Sequence, residues 1–347
     1  MASVAEEQKK KSILSDIMKY LIPLVITIGL CYVMFKSIDF NQMLDIIRHQ
    51  CDFRWIGLAM LISIFSHVFR AFRWRIQLKA LGVDAPRRIL IYSIFGTYAV
   101  NLVFPRLGEV WRCGYVSQRQ DAPFATVFGS MVADRLADTL TVACLLLLTF
   151  ILASQSLLSY LAQNQAAYES VMTLVSSPWL WIAVVACVAF AWWFLTAKAR
   201  EGSIMQKAQD FVKGLWEGFA VIVKMPGKGP WLIYTLCIWG CYFMQLYVAF
   251  YAFPFTRDVL AAHGTVVALV AFTLSSIAMG VPSNGGIGPW QWAIMFALDI
   301  YGVSRVDSGA FANLVLGSQT LLLILLGIFT FVAIMLDKKN TKQINKL

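Results

Sequence analysis

Long apolar runs separated by short basic segments occupy the first part of the chain. Tyr20 to Phe35 follows the basic stretch Lys9 to Lys11, and Trp55 to Phe69 follows the mixed-charge segment Lys36 to Arg54. Phe124 to Leu152 is the longest apolar run in this part. Since a helix needs about 20 mostly apolar residues to span a bilayer, we predict three spans. The first is expected to remain as an anchor, and Lys36 to Arg54 is expected to form a loop.

The second part of the chain repeats this alternation. Trp179 to Leu195, Trp231 to Phe253 and Phe311 to Leu336 are apolar and predict three more spans. The basic segment between the first two carries apolar residues at helical spacing, opposite Lys207 and Lys213, which indicates an interfacial amphipathic helix. These apolar positions are Ile204, Ala208, Phe211, Leu215, Phe219 and Ile222.

Two further apolar pieces are each interrupted by proline and glycine. Ile89 to Phe104 ends at Pro105 to Gly108, and His263 to Tyr301 is interrupted at Val281 to Pro289. If the first piece crossed once, the arginines that follow it would lie outside, against the rule that basic loops face the cytoplasm. Both pieces are therefore predicted to be re-entrant hairpins, a geometry tolerated where protein or a wet cavity satisfies the backbone.

The order of these elements predicts the architecture. Residues 20–152 and 178–336 share the order span, connector, span, broken hairpin, span, with opposite orientations. We predict an all-α integral membrane protein, an inverted repeat of about six full spans plus two re-entrant hairpins. Residues 1–19 and 337–347 are expected to be cytoplasmic tails, and Ala153 to Ser177, which lacks Lys and Arg, is expected to be an exterior loop. Arg70 to Arg88 is expected to be a cytoplasmic loop.

Composition and charge exclude several classes of protein. The chain is 59% hydrophobic and 14% charged, whereas soluble domains carry about a quarter charged residues. The formal charge of +10 is concentrated in short segments between apolar runs, so it indicates membrane topology rather than nucleic-acid binding. Seven scattered cysteines and three separated histidines predict no metal site. We find no phosphate-loop motif and expect no cofactor.

Three ionisable residues lie midway along the apolar run Phe124 to Leu152: Asp134, Arg135 and Asp138. A charge at the bilayer centre costs about 2.5 to 3.5 kcal/mol even on the insertion scale, so such residues usually face a partner or a cavity. They could form an internal salt-bridge set or line a polar path. We favour the path, because more charges belong to the neighbouring hairpin break. These are Arg106, Glu109 and Arg112.

Each break also begins a new helical piece, whose first backbone N–H groups attract anions. Gly108 in the first break, and Gly285, Gly286 and Gly288 in the second, would let a phosphate approach the backbone closely. A lipid phosphodiester fits this chemistry. Its phosphate would meet the N–H groups and Arg106 or Arg112, and a cationic head would meet a carboxylate. The candidate carboxylates are Asp134, Asp138 and Glu109.

Three motifs in order, NLVFPRLGEVWR, MVADRLADTL and VPSNGGIG, resemble the transmembrane flippase-like region of the lysylphosphatidylglycerol synthase family. The resemblance covers nearly the whole chain and implies translocation of aminoacylated or other lipids. The soluble aminoacyl-transferring domain is absent from these residues, which argues against lipid synthesis. Gln291 stands where relatives often carry Glu. The predicted substrate-binding residues are Asn101, Pro105, Arg106, Gly108, Glu109, Arg112, Asp134, Arg135, Asp138, Pro282, Asn284, Gly285, Gly286, Gly288 and Gln291.

The favoured function is translocation of a phospholipid or lipid-phosphate between leaflets of a bacterial inner (cell) membrane. The partners would be membrane lipids, either anionic or zwitterionic phospholipids or lipids of the polyprenyl-phosphate type, and a homo-oligomer is possible. One alternative is an intramembrane enzyme that modifies lipid head groups, although no nucleophile is evident. Another is a non-transporting partner in an envelope lipid or glycan pathway.

Overall fold

Helices form every regular element in the part of the chain that the structure describes. The computed structural model describes residues 40–104, 106–197, 205–206, 209, 225–281 and 283–344. The predicted anchor Tyr20 to Phe35 lies outside these residues, as does most of the predicted interfacial helix. The predicted all-α fold is confirmed for the described ranges.

The first half contains five helices. They are α1 (Phe40–Gln50), α2 (Phe53–Ala80), α3 (Arg87–Val103), α4 (Leu107–Gln120) and α5 (Phe124–Gln163). Helix α1 lies in the segment Lys36 to Arg54, so the prediction of a loop there was wrong. Asp52 caps α2 by accepting the N–H of Arg54 at 3.1 Å, which satisfies one of the unpaired donors at the helix start.

Helix α2 continues well beyond the predicted end of its span at Phe69. It runs to Ala80, so Arg70 and Arg73 lie within the helix and are buried rather than in a cytoplasmic loop. The predicted end was wrong because it was placed where the apolar run stops, at the first arginine. A helix needs only its backbone hydrogen bonds to continue, and the two arginines find acidic partners in the protein core.

The predicted exterior loop Ala153 to Ser177 is also helical. Helix α5 extends to Gln163 and is followed by α6 (Gln165–Ser176) and α7 (Pro178–Thr196). This prediction was wrong because the absence of basic residues says which side a segment faces, not whether it is helical. The segment contains no glycine or proline, the strongest helix breakers. Helix α7 matches the predicted run Trp179 to Leu195.

The second half continues with α8, a short 3₁₀ turn at Phe250–Ala252, and four more helices. Helices α9 and α10 meet at a bend of 111° beside Gly264. The helices are α8 (Lys228–Ala249), α9 (Pro254–His263), α10 (Thr265–Ala278), α11 (Pro289–Asp299) and α12 (Arg305–Ile344).

Four helices within the described residues are long and apolar enough to cross a bilayer, and the bent pair α9 and α10 would make a fifth span. The protein is therefore a multi-pass membrane protein; the count of six spans stays a prediction. The four segments are Phe53–Ala80, Phe124–Gln163, Lys228–Ala252 and Arg305–Asp337.

Both predicted helix interruptions are present. Helices α3 and α4 are separated at 104–106 and pack against each other, and so do α10 and α11, which are separated at 279–288. Helices α2 and α8 pack side by side. One apolar core surrounds Phe250, Phe253 and Phe311, and another surrounds Trp74 and Leu90.

Candidate functional site

Charged side chains from three helices meet between α2, α4 and α5. Helix α2 contributes Arg70 and Arg73, and α5 contributes Asp134 and Asp138, each pair on one helix face because the spacing is three or four residues. Helix α4 contributes Arg112. With Arg135 of α5, these six residues form the group that we call the ionic cluster.

Arg73 bridges both aspartates of the ionic cluster. Its Nε donates to Asp134 Oδ1 at 2.9 Å, and its Nη2 lies 2.6 Å from the same oxygen and 2.8 Å from Asp138 Oδ1. Arg73 and Asp134 are both fully buried. A guanidinium that bridges two carboxylates supplies several charge-assisted hydrogen bonds, which offset the cost of taking these charges out of water.

Arg70 joins the same two carboxylates from one turn earlier in α2. Its Nη1 lies 2.6 Å from Asp138 Oδ2 and 3.5 Å from Asp134 Oδ2. Its Nη2 donates to the hydroxyl of Tyr242 in α8 at 3.2 Å, and that hydroxyl lies 3.3 Å from the hydroxyl of Tyr98 in α3. The ionic cluster therefore reaches the first hairpin through Tyr98 and helix α8 through Tyr242.

Arg112 and Arg135 are held more loosely. Arg112 Nη2 is 3.7 Å from Asp134 Oδ2, and Arg135 Nη1 is 3.6 Å from Asp138 Oδ2. Arg112 is fully buried and its guanidinium carbon lies 4.5 Å from the ring centroid of Trp74, a cation–π contact. The Arg135 side chain is 34% exposed and that of Asp138 is 12% exposed. The ionic cluster is thus fully buried at Arg73 and partly exposed at the protein surface at Arg135.

The first hairpin break lies beside the ionic cluster and is held by its own side chains. Gly108 donates its N–H to Asn101 Oδ1 at 2.8 Å, and Asn101 Nδ2 donates to Glu109 Oε2 at 3.1 Å. A Cβ atom on Gly108 would overlap the carbonyl oxygen of Thr97. The structure therefore explains this glycine by the close approach of α4 to α3, and its N–H already has an acceptor.

At the second hairpin break a side chain also accepts the N–H of a glycine. Gly285, Gly286 and Gly288 all have positive φ, a conformation that glycine adopts without strain. The N–H of Gly288 donates to Gln291 Oε1 at 2.9 Å, and Gln291 Nε2 donates to Asn313 of α12. Gln291 thus caps α11 and ties it to α12, a role visible only in the structure.

The two breaks touch each other. Arg106 of the first break donates from Nη2 to the carbonyl oxygen of Gly280 in the second at 2.6 Å. A Cβ on Gly285 would lie 2.8 Å from the Leu102 side chain. Exposed apolar side chains occur in the segments around both breaks: Val103, Phe104, Leu107 and Val110 in the first, and Ile277, Met279 and Val281 in the second.

The predicted site residues therefore fall into groups. Asp134, Arg135, Asp138 and Arg112 come together in the ionic cluster, and the other two charged residues of the predicted polar set, Arg106 and Glu109, lie outside it. Arg106, Asn101, Gly108 and Glu109 line the first break, and Asn284, Gly285, Gly286, Gly288 and Gln291 lie at the second. Pro105 and Pro282 lie outside the described residues. That any of them binds substrate stays a prediction.

Sequence reasoning missed Arg70 and Arg73. A signal for them does exist. The spacing of three residues between Arg70 and Arg73 and that of four between Asp134 and Asp138 each place two side chains on one helix face. This signal can be used only if helix α2 is expected to continue beyond its apolar run. Tyr98 and Tyr242 were also missed, since a tyrosine in an apolar run is ordinarily interpreted as packing or as part of an interfacial belt.

Comparison with known families identifies the family of this chain. Residues 20–327 match the family described as the lysylphosphatidylglycerol synthase TM region, which is most of the chain. The chain belongs to this family. The resemblance that the three motifs indicated is thereby confirmed, and the ionic cluster and both hairpin breaks lie within the matched residues.

Curated relatives extend the comparison to archaea. A UPF0104 membrane protein of Pyrococcus horikoshii is 22% identical over 69% of this chain and 75% of its own length. Glycosyltransferase AglD of Haloferax volcanii is 30% identical over 35% of this chain, and a UPF0104 membrane protein of Methanocaldococcus jannaschii is 28% identical over 24%. The matches span 19% and 26% of these last two proteins. No solved structure matches the chain.

Proposed function

We propose that this family member is a carrier that moves a lipid with a phosphate-containing head group between the two leaflets of a membrane. Support comes from the ionic cluster, which combines a sealed inner part with an open edge at Arg135 beside the first hairpin break. Arg135, with 34% of its side chain exposed, extends the ionic cluster to the protein surface, where a head group could reach it. Ions placed deep in an apolar protein usually mark a substrate path.

The depth of the ionic cluster fits this proposal. Arg70 lies ten residues before the end of α2 at Ala80, and Asp134 lies ten residues after the start of α5 at Phe124. At 1.5 Å per residue each is about 15 Å along its helix from that end. If those ends reach the membrane surface, the ionic cluster lies near the middle of a hydrocarbon core about 30 Å thick.

We also propose the inverted repeat, because the contacts between helices are reciprocal. Helix α3 of the first hairpin packs on α12, the last helix of the second half, and α10 of the second hairpin packs on α5, the last span of the first half. A hydroxyl pair, Thr149 and Thr273 at 2.7 Å, lies in the second of these contacts. Inverted repeats with paired broken helices place substrate sites near the midplane. The charge distribution further favours a cell membrane with both termini cytoplasmic.

In this mechanism the lipid head group enters beside Arg135 while its tails stay in the bilayer. Rocking of the two hairpins, which meet at Arg106 and Gly280, would expose the polar edge of the ionic cluster to one leaflet and then to the other. Head-group contacts in the polar edge replace part of the hydration that the phosphate loses. The step is a movement along a gradient and needs no covalent chemistry.

Leaflet exchange in proteoliposomes tests the proposal. Purified protein should accelerate exchange of a labelled lipid from a native extract, and Asp138→Asn and Arg135→Ala should abolish the acceleration. Asp84→Asn is the matched control, since Asp84 pairs with Arg75 at 2.7 Å but is 60% exposed. Unfolding temperatures show whether each variant is folded. Exchange no faster than in empty vesicles, across the whole extract, contradicts a carrier.

A head-group-modifying enzyme is the second candidate, and the observation that favours it is the matching stretch in a protein named as a glycosyltransferase. Asp138 or Glu109 would then act as a base. The test is mass spectrometry of native lipids incubated with the protein: new lipid masses that disappear with Asp138→Asn would favour the enzyme, whereas unchanged masses with accelerated exchange would favour the carrier.

A further inference from the structure

We propose that the ionic cluster selects an anionic head group, a phosphate ester without a cationic substituent, over zwitterionic or aminoacylated lipids. This inference rests on the proposed carrier function and names the class of its substrate. It departs from the expectation that a cationic head would meet Asp134, Asp138 or Glu109, because the structure gives those carboxylates to the protein's own side chains.

The charge balance of the ionic cluster favours an anion. Four arginines and two aspartates give it a formal charge of +2. If the neighbouring Glu109 is included, the balance is still +1. An uncompensated positive charge in a low-dielectric interior is costly, and arginine does not lose its proton there. A bound phosphate would supply the missing negative charge.

Three of the four aspartate oxygens have a close guanidinium partner, and the fourth, Asp134 Oδ2, lies between Arg70 at 3.5 Å and Arg112 at 3.7 Å. Asp138 Oδ1 lies 2.8 Å from Arg73 Nη2, and Asp138 Oδ2 lies 2.6 Å from Arg70 Nη1. Asp134 Oδ1 accepts from Arg73, and Glu109 Oε2 accepts from Asn101. An ammonium group would have to compete with the guanidinium groups that surround both aspartates, and it would meet the positive field of the four arginines.

The guanidinium groups, by contrast, retain unused donors. Among the described residues, no hydrogen-bond acceptor meets Nε, Nη1 or Nη2 of the fully buried Arg112, nor Nε of Arg70 or Arg135. Guanidinium donors form a planar fork that matches two oxygens of a phosphate. These donors come from three helices around the same two aspartates, so one phosphate group could engage more than one of them.

Arg135 is the most exposed member of the ionic cluster, at 34% of its side chain, so we place access to these donors on its side. Leu136 and Thr139, its neighbours on α5, are exposed, and so are Leu107 and Val110 on α4. The exposed Leu136 next to a partly exposed arginine suits an amphiphile whose head group meets the charge while its acyl chains contact apolar side chains. A free inorganic phosphate would gain nothing from those side chains, which is why we commit to a lipid.

Binding and exchange are measured separately to test the inference. Binding is measured as the rise in unfolding temperature when detergent-solubilised protein receives phosphatidic acid, phosphatidylglycerol, phosphatidylcholine or lysyl-phosphatidylglycerol. Exchange of the same four labelled lipids is measured in phosphatidylcholine vesicles. We expect both anionic lipids to stabilise the protein and to exchange at least tenfold faster than the other two.

Two variants of Arg135 sharpen the test. Arg135→Gln lowers the formal charge of the ionic cluster to +1 and should weaken binding of the anionic lipids about tenfold, a loss of about 1.4 kcal/mol, because it removes one charged hydrogen-bond donor. Arg135→Glu lowers it to zero and should remove the preference for anions. Arg257→Gln is the control, because Arg257 is exposed and its side chain donates to the Tyr251 carbonyl at 2.9 Å, away from the ionic cluster.

The outcomes separate the two proposals. Equal or stronger binding of phosphatidylcholine or lysyl-phosphatidylglycerol overturns the anion selectivity, even if those lipids are exchanged and the carrier function stands. Charge-dependent binding of the anionic lipids without exchange supports the selectivity and contradicts the carrier. An equal loss of anion binding with Arg257→Gln would mean that overall charge attracts the lipid and would overturn the assigned site.

Discussion

Removal of the Asp134 charge is the most direct test of how the ionic cluster holds the fold together. Asp134 is fully buried and faces three arginines: Arg73 at 2.6 Å, Arg70 at 3.5 Å and Arg112 at 3.7 Å. Asp134→Asn keeps the side-chain shape and raises the formal charge of the ionic cluster from +2 to +3. Breaking a buried ion pair by removing one partner costs about 3 to 5 kcal/mol.

That cost is large against the stability of a folded protein, about 5 to 15 kcal/mol. At about 2 °C per kcal/mol, the unfolding temperature should fall by about 6 to 10 °C. Tryptophan fluorescence during heating in detergent measures it, because Trp74 lies against Arg112. Asp84→Asn breaks an Arg–Asp pair of similar length whose side chains are 31% and 60% exposed, and should change the temperature by less than about 2 °C. Equal effects of the two substitutions would refute the reasoning.

Three further predictions concern packing around the hairpins, each checked by the unfolding temperature of the purified variant. Gly108→Ala should destabilise strongly, because its Cβ would overlap a backbone oxygen of α3, whereas Gly114→Ala in the same helix meets open space and should be neutral. Gly327→Ala should likewise destabilise the protein by separating α12 from α3 at Ala99, whereas its control Gly317→Ala should not. If a glycine variant and its control had similar unfolding temperatures, the helix contact at that glycine would be contradicted. Gln291→Ala should cost about 1 to 2 kcal/mol by removing the cap on Gly288, and an unchanged temperature would argue against that cap.

Much of the helical fold could be predicted from the sequence because hydropathy and helix breakers are local signals. The apolar runs around Trp231 to Phe253 and Phe311 to Leu336 correspond to α8 and α12, and the Pro- and Gly-containing interruptions fall where the helices stop. Helix ends were less predictable. Helix α5 continues past Leu152 because its residues still favour a helix after the apolar stretch ends.

The site was only half predictable for the same reason. Asp134 and Asp138 stand out as charges within an apolar run, but Arg70 and Arg73 look like the basic end of a span. Their pairing joins residues more than sixty positions apart, and one sequence carries no local signal for such a contact. The glycines of both breaks were assigned to phosphate approach, whereas Gly108 and Gly285 also allow close packing against Thr97 and Leu102.

The contact between Ala99 and Gly327 sets an order of events during synthesis. These residues are 228 positions apart, and a ribosome adds about 5 to 20 residues per second. The first hairpin therefore waits about 10 to 45 s for its partner helix to be made. During that interval the face of the first hairpin that later packs on α12 must be covered by the insertion machinery or by other helices such as α2, whose bonds to α5 can close much earlier.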